Sequence, residues 1–273
     1  MTGPSVIVLA GDRGPDDPLA RRAGVPGKVL VEIGGKPMLT RVMEALDAFA
    51  AGGETIGETI GQTVGETIVV CRNRPEYIGA IDSGRPCRRI DPAAGPAASV
   101  VAALDAMAQP GPVLLVTGDH PLIRPEWLRA FVDRAAATGA DAVVGVVDHA
   151  RLLERFPGSR RTRYRFSDRA VCGTNLFYFA GMRGRRAAEL WRAFEADRKR
   201  PWKIVGRLGV WNLVRYLGAR LSLEAAMQAL SRRMGVRLSA VLVDAPEAAV
   251  DVDSADDLAL VAGIIEARER GSS

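Results

Sequence analysis

Apolar and polar positions along the chain alternate between two rhythms. Residues 5–10 (SVIVLA) are a short continuous apolar run ending at Gly11, which predicts a buried strand. A glycine- and proline-rich loop follows to Gly27, and residues 28–33 (KVLVEI) predict a short extended segment. Pro37 opens a helix, where its missing N–H costs no hydrogen bond. Met38, Leu39, Val42, Met43, Leu46 and Phe49 recur at helical spacing and give that helix one apolar stripe. The alternation continues with a strand over 67–71, a helix over 100–108, a strand over 113–117, a helix over 125–138 and a strand over 141–147.

Strands and helices alternating at these lengths predict βαβ units and a mostly parallel sheet. Ligands of such sheets gather at the carboxyl ends of the strands. The loops beginning at Gly11 and Gly118 would lie there.

From Arg151 the rhythm changes. A basic stretch leads into a strand over 174–179, helical segments over 184–198, 202–217 and 222–233, a strand over 237–243 and a closing helix over 254–268. The chain therefore divides into a core, 1–150, a basic insertion on the acceptor side, 151–240, and a return to the core, 241–273. Residues 53–68 (GETIGETIGQTVGETI) repeat a four-residue unit too short for a solenoid. With a glycine at every fourth place they disfavour a helix, and they read as a low-complexity surface insertion without chemistry of its own.

Composition narrows the class. With 273 residues, 48% hydrophobic and 25% charged, the chain has a globular protein's core. Three cysteines without a CxxC spacing, and two histidines, argue against a disulfide framework and a structural zinc site. No apolar run reaches the roughly 18–20 residues of a membrane span, and no secretory signal opens the chain. A cytoplasmic protein is expected. The net charge of +5 hides an asymmetry: residues 151–240 hold 21 Lys/Arg against 6 Asp/Glu, a local +15, and the rest carries −10. That excess favours anionic partners or is a solvated arginine-rich face. Apolar residues from Trp202 to Leu217 interleave with basic residues from Arg198 to Arg215. The segment 198–217 therefore reads as a helix packed on the core, with peripheral contact to an anionic membrane as the alternative.

Three constellations can carry chemistry. The first is the loop after the opening strand, with Gly11, Arg13 and Gly14, and Lys28 beyond it. Glycines let backbone amides approach an anion, and the two cations can neutralise phosphate oxygens. The second, Thr117-Gly118-Asp119-His120-Pro121, follows an apolar strand and offers Asp119 as a hard oxygen ligand for Mg²⁺. His120 reads as a local hydrogen-bonding residue. The third runs from Val250 to Leu258. Ser254 is a candidate N-cap with Asp257 as its capping-box partner, and alternation puts Asp251 and Asp253 on one side of an extended segment.

Together these pieces resemble the nucleoside triphosphate transferase family, in its MobA-like and sugar-phosphate nucleotidyltransferase-like branches. The resemblance rests on Leu9-Ala10-Gly11-Asp12-Arg13, on Lys28-Val-Leu30 through Gly35-Lys-Pro37-Met-Leu39, on Gly95-Pro96-Ala97-Ala98-Ser99, on Gly118-Asp119-His120-Pro121-Leu122 and on Asp253-Ser254-Ala255-Asp256-Asp257-Leu258. It covers about 4–147 and 237–265; Asp12 departs from the family pattern by standing where a second glycine is usual.

The resemblance implies an α/β, Rossmann-like fold of the glycosyltransferase-A type. It implies nucleotide contacts from Leu9, Ala10, Gly11, Gly14, Gly95, Ser99 and Gly118, catalytic cations Lys28 and Arg13, and Mg²⁺ on Asp119 and Asp253, with Asp251 in reserve. Thr174 and Asn175 are candidate acceptor contacts. The implied reaction moves a nucleoside monophosphate from a nucleoside triphosphate, CTP by analogy, to a small phosphorylated acceptor. No nucleic-acid partner is expected. The competing readings are a molybdenum cofactor nucleotidyltransferase, a glycosyltransferase on the same fold, and a non-catalytic nucleotide-binding protein.

Overall fold

A computed structural model of the chain describes residues 3–11, 16–52, 64–109, 111–195 and 209–271. Arg13, Gly14, Asp12, most of the four-residue repeat and the stretch 196–208 lie outside them.

The expected alternation builds one large sheet. Its strands are β1 (Ser5–Leu9), β4 (Thr67–Val70), β5 (Arg88–Ile90), β6 (Pro112–Thr117), β7 (Ala142–Asp148), β8 (Tyr164–Arg165), β9 (Ala170–Ala180) and β10 (Leu238–Leu242). Their order is β10-β7-β9-β6-β1-β4-β5, with β8 paired to β9. Every neighbouring pair is parallel except those of β9, which is antiparallel to β6, β7 and β8. β1 is buried on both faces, with Ile7 and Val8 wholly covered, as its unbroken apolar run requires.

The helices cover both faces. They are α1 (Pro18–Ala23), α2 (Met38–Ala51), α3 (Pro75–Ile81), α4 (Pro96–Ala106), α5 (Pro125–Ala137), α6 (His149–Arg155), α7 (Gly181–Glu195), α8 (Val210–Leu217), α9 (Leu223–Met234) and α10 (Ala255–Gly271). All six stripe residues of α2 are buried. One core layer joins α2, α5 and α10 to Val8, Val116 and Val143; the other joins α4 and α7 to Ile7, Ile68 and Leu115. Between β1 and α2, a small hairpin pairs β2 (Glu32–Ile33) with β3 (Lys36–Pro37).

Two local outcomes differ from the sequence reading. The expected extended segment 28–33 opens instead as a 3₁₀ turn over Lys28–Leu30, which turns Val29 and Leu30 into the core. The loop 11–27 contains α1, started by Asp17, whose carboxylate accepts from the amides of Leu19 and Ala20, and stopped by Gly24 at φ 67°. The strand expected over 174–179 forms as β9, which the stretch 151–240 supplies to the middle of the sheet. β9 follows a chain reversal through α6 and β8 and so enters antiparallel, a direction that apolar periodicity does not encode.

α8 presents a contrast between its two sides. Leu213 and Tyr216 pack against Leu221, Ala226 and Phe166 in a small separate cluster. Trp211, Val214 and Leu217 face solvent at 73%, 53% and 69% exposure. Among the described residues, no helix is long and apolar enough to cross a membrane.

Candidate active site

The carboxyl edge of the sheet is stitched together by backbone hydrogen bonds between loops distant in sequence. Gly118 donates from its amide to the Leu9 carbonyl at 2.8 Å, Ala10 to Val70 at 2.9 Å, and Val252 to Asp119 at 3.0 Å. A Cβ at Gly118 would lie 3.1 Å from Leu39 and 3.2 Å from Ala10, so any larger residue would push these neighbours back by a few tenths of an ångström. Gly11 is exposed and lies against Pro92 of the loop that precedes α4. Gly95 is the N-cap of α4. Ser99 is buried and its hydroxyl accepts from the Ala93 amide at 3.0 Å, so it shapes this loop from beneath.

Lys28 and the acidic residues meet at this edge. The 3₁₀ turn sends the Lys28 side chain into the crevice, where it is 13% exposed. Its Nζ donates to Asp119 Oδ2 at 2.7 Å and to Asp253 Oδ1 at 2.7 Å. Burial works against the Lys28 ammonium, but the Asp119 and Asp253 charges outweigh it and raise its pKa well above the usual lysine value. Asp119, Asp251 and Asp253 each offer an oxygen within 4.8 Å of the others. Val250 and Val252 point into the core, and this alternation leaves both aspartates on the other side. The sequence reading favoured Asp253 with Asp251 in reserve, whereas the fold gathers both beside Asp119.

A second layer fixes that acidic segment. Arg161, from the loop before β8, forms ion pairs with Asp251 and Asp257, the latter at 2.9 Å, and also donates to the Asp251 carbonyl. Asn175 donates from Nδ2 to Asp251 Oδ2 at 2.9 Å. Asn175 reaches it through a bulge: three residues of β9, 174–176, stand opposite Gly145 alone, and Asn175 adopts φ 57°. Asparagine tolerates that left-handed conformation better than most residues. Ser254 caps α10: Asp257 N donates to its hydroxyl at 3.2 Å, and that hydroxyl donates to Asp257 Oδ2 at 2.6 Å. The same Oδ2 accepts from the Asp253 amide, so the helix cap holds Asp253 in place.

Other candidate residues sit elsewhere. Thr174 is buried, with its hydroxyl donating to the Gly145 carbonyl at 2.9 Å, and so lies inside the sheet. His120 is buried with Nε2 at 3.2 Å from the Glu247 carbonyl. Burial lowers its pKa, and it serves as a strut between two loops. Arg161 was missed by the sequence reading, because one arginine among 21 basic residues carries no signal until its partners are known.

The donor set suits a hard divalent cation such as Mg²⁺: three carboxylates converge, and Asp119 Oδ1 is buried without a hydrogen-bond partner. Burial and the neighbouring Asp119 push the Asp251 carboxyl up to about 6, with Arg161 opposing them.

Comparison with known proteins adds a family assignment to this geometry. The family model described as the MobA-like NTP transferase domain matches residues 6–237. The bifunctional protein GlmU of Alkalilimnicola ehrlichii is 29% identical over 167 residues, which are 53% of this chain and 32% of GlmU. The matched region thus spans about a third of that relative's length. A structure described as a hypothetical transferase from Thermus thermophilus superimposes with a TM-score of 0.75 at 31% identity, covering 94% of this chain and 100% of that one. CMP:2-keto-3-deoxy-manno-octonic acid synthetase complexed with CTP superimposes with a TM-score of 0.57 at 14% identity, covering 98% and 100%. At that identity the likeness is one of fold.

Proposed function

The chain belongs to the MobA-like NTP transferase family, and from that premise we propose a magnesium-dependent nucleotidyltransferase that uses CTP. It transfers the nucleoside monophosphate to a small phosphorylated acceptor, such as a sugar or polyol phosphate. One observation carries the reading: Lys28 bridges Asp119 and Asp253, residues 91 and 225 positions away, at the carboxyl edge of the sheet.

In this reading an oxygen of the acceptor phosphate attacks the α-phosphorus. A new P–O bond forms there as the bond to the β-phosphate breaks, and pyrophosphate leaves with the electron pair. The acceptor phosphate is already ionised at neutral pH, so no base need remove a proton. The chain's work is positioning and charge stabilisation. Backbone amides at Gly11 and at the start of α4 cradle the phosphates in this reading. Lys28, with Arg13 from the same loop region, neutralises charge developing on the phosphate chain. Asp119, Asp251 and Asp253 would hold Mg²⁺, which when bound supplies a hard Lewis acid that neutralises phosphate oxygens. CTP is favoured by the family resemblance and by the nucleotide named for the synthetase of like fold.

The test is pyrophosphate release with each of the four triphosphates and a panel of phosphorylated acceptors, after thermal-shift screening with Mg²⁺. Ligands that bind the folded state raise its melting temperature by mass action. Asp119→Ala and Lys28→Ala are each expected to lower turnover by about 10²-fold or more. Turnover near wild type in both would refute the assignment. A preference for GTP with a pterin acceptor would move the chain to the molybdenum cofactor branch.

A further inference from the structure

Lys28 stands where a cation bound by Asp119 and Asp253 would have to stand. Its Nζ lies 2.7 Å from an oxygen of each. A divalent metal binds carboxylate oxygens at roughly 2.0–2.6 Å, so ammonium and metal ion would compete for nearly the same point. They also repel each other at so short a separation. A second cation, Arg161, is committed to Asp251 and Asp257. Lys28 spans Asp119 and Asp253 with its positive charge.

We propose that Lys28 is a displaceable substitute for the divalent cation: it closes the carboxylate cluster until a triphosphate draws it away and opens the metal position. The inference rests on the nucleotidyltransferase reading above and adds an order of events to it. Phosphate oxygens offer the ammonium a second set of anions. The swing of one lysine thereby couples nucleotide binding to metal binding, each favouring the other. A metal ion arriving alone must push the ammonium off without that compensation. The protein would thus take its metal together with the nucleotide.

The experiment titrates Mn²⁺ into the full-length protein and follows free Mn²⁺ by electron paramagnetic resonance, with no nucleotide present. Wild type is expected to bind weakly, and Lys28→Met about tenfold tighter or more, within the range of coupling between linked sites. Lys28→Arg keeps the charge and is expected to bind as weakly as wild type. Lys28→Met leaves acidic groups facing one another. Mn²⁺ should therefore raise its melting temperature more than that of wild type, which also shows that the variant is folded. The gain should vanish in Lys28→Met combined with Asp119→Asn.

Mn²⁺ affinity that is unchanged or weaker in Lys28→Met, while wild type still binds Mn²⁺ with a triphosphate, overturns the substitution alone. A gain that survives Asp119→Asn also overturns it, since the ion would then sit elsewhere. Absence of Mn²⁺ binding to wild type with any of the four triphosphates overturns the reading of the site, and this inference with it.

Discussion

Asp251 is held between opposing influences, and its titration offers a clean handle on the site. Its ordinary value of 3.8 is pushed up to about 6, chiefly by burial and by Asp119. The folded chain therefore holds that proton more tightly than the unfolded one. Its contribution to stability is greatest at low pH and falls as pH rises from about 4 through 6. Melting curves in chelator between pH 4 and 7.5 should show this loss, and Asp251→Asn should flatten it. An unchanged slope in the variant would show that another group is responsible. Arg161 bears the complementary prediction. Removing it strands Asp251 and Asp257 without their cation, and Arg161→Ala is expected to cost roughly 3 kcal/mol in denaturant unfolding, the scale of breaking a buried pair from one side. Arg161→Lys keeps one charge but loses the fork that reaches both carboxylates, and should fall between.

At the scale of elements, helices and strands with a strong apolar period were legible from sequence, and short capped ones were not. α2 shows why the first kind reads well: six apolar positions at helical spacing all reach the core. α1 shows the opposite, since six residues with two buried side chains carry almost no period. Its start and stop lay in Asp17-Pro18 and Gly24, polar signals inside a loop-like composition. The site divided along the same line. Lys28, Asp119 and Asp253 stand in short local motifs, so family resemblance could single them out. Arg161 and the bulge at Asn175 exist only through pairing across the sheet, which no local pattern records. α8 gives this scale its own prediction. Trp211→Ser and Leu217→Ser remove solvent-facing side chains and should change stability by no more than about 0.5 kcal/mol. Leu221→Ala, beneath the same helix and wholly buried, should cost about 2–5 kcal/mol. A comparable loss from Trp211→Ser would mean that the outward side of α8 is covered in solution.

For the whole molecule, charge is distributed as unevenly as the fold is continuous. The +15 of residues 151–240 is carried by a stretch that also lends β9 to the sheet, so its field belongs to the same body as the crevice. Attraction of anionic substrates by such a field is screened by salt. The ratio kcat/KM for the triphosphate is expected to fall several-fold between about 0.05 and 0.5 M ionic strength, and a flat profile would remove steering from the account. Chain order adds a second consequence. The acidic cluster draws on distant parts of the chain: Asp119 precedes β9 in sequence, and Asp251 and Asp253 follow it. During synthesis, a ribosome that has released the first two hundred residues has released Lys28 and Asp119 but neither of their later partners. A nascent chain therefore cannot assemble this cluster until residues 251 and 253 have emerged.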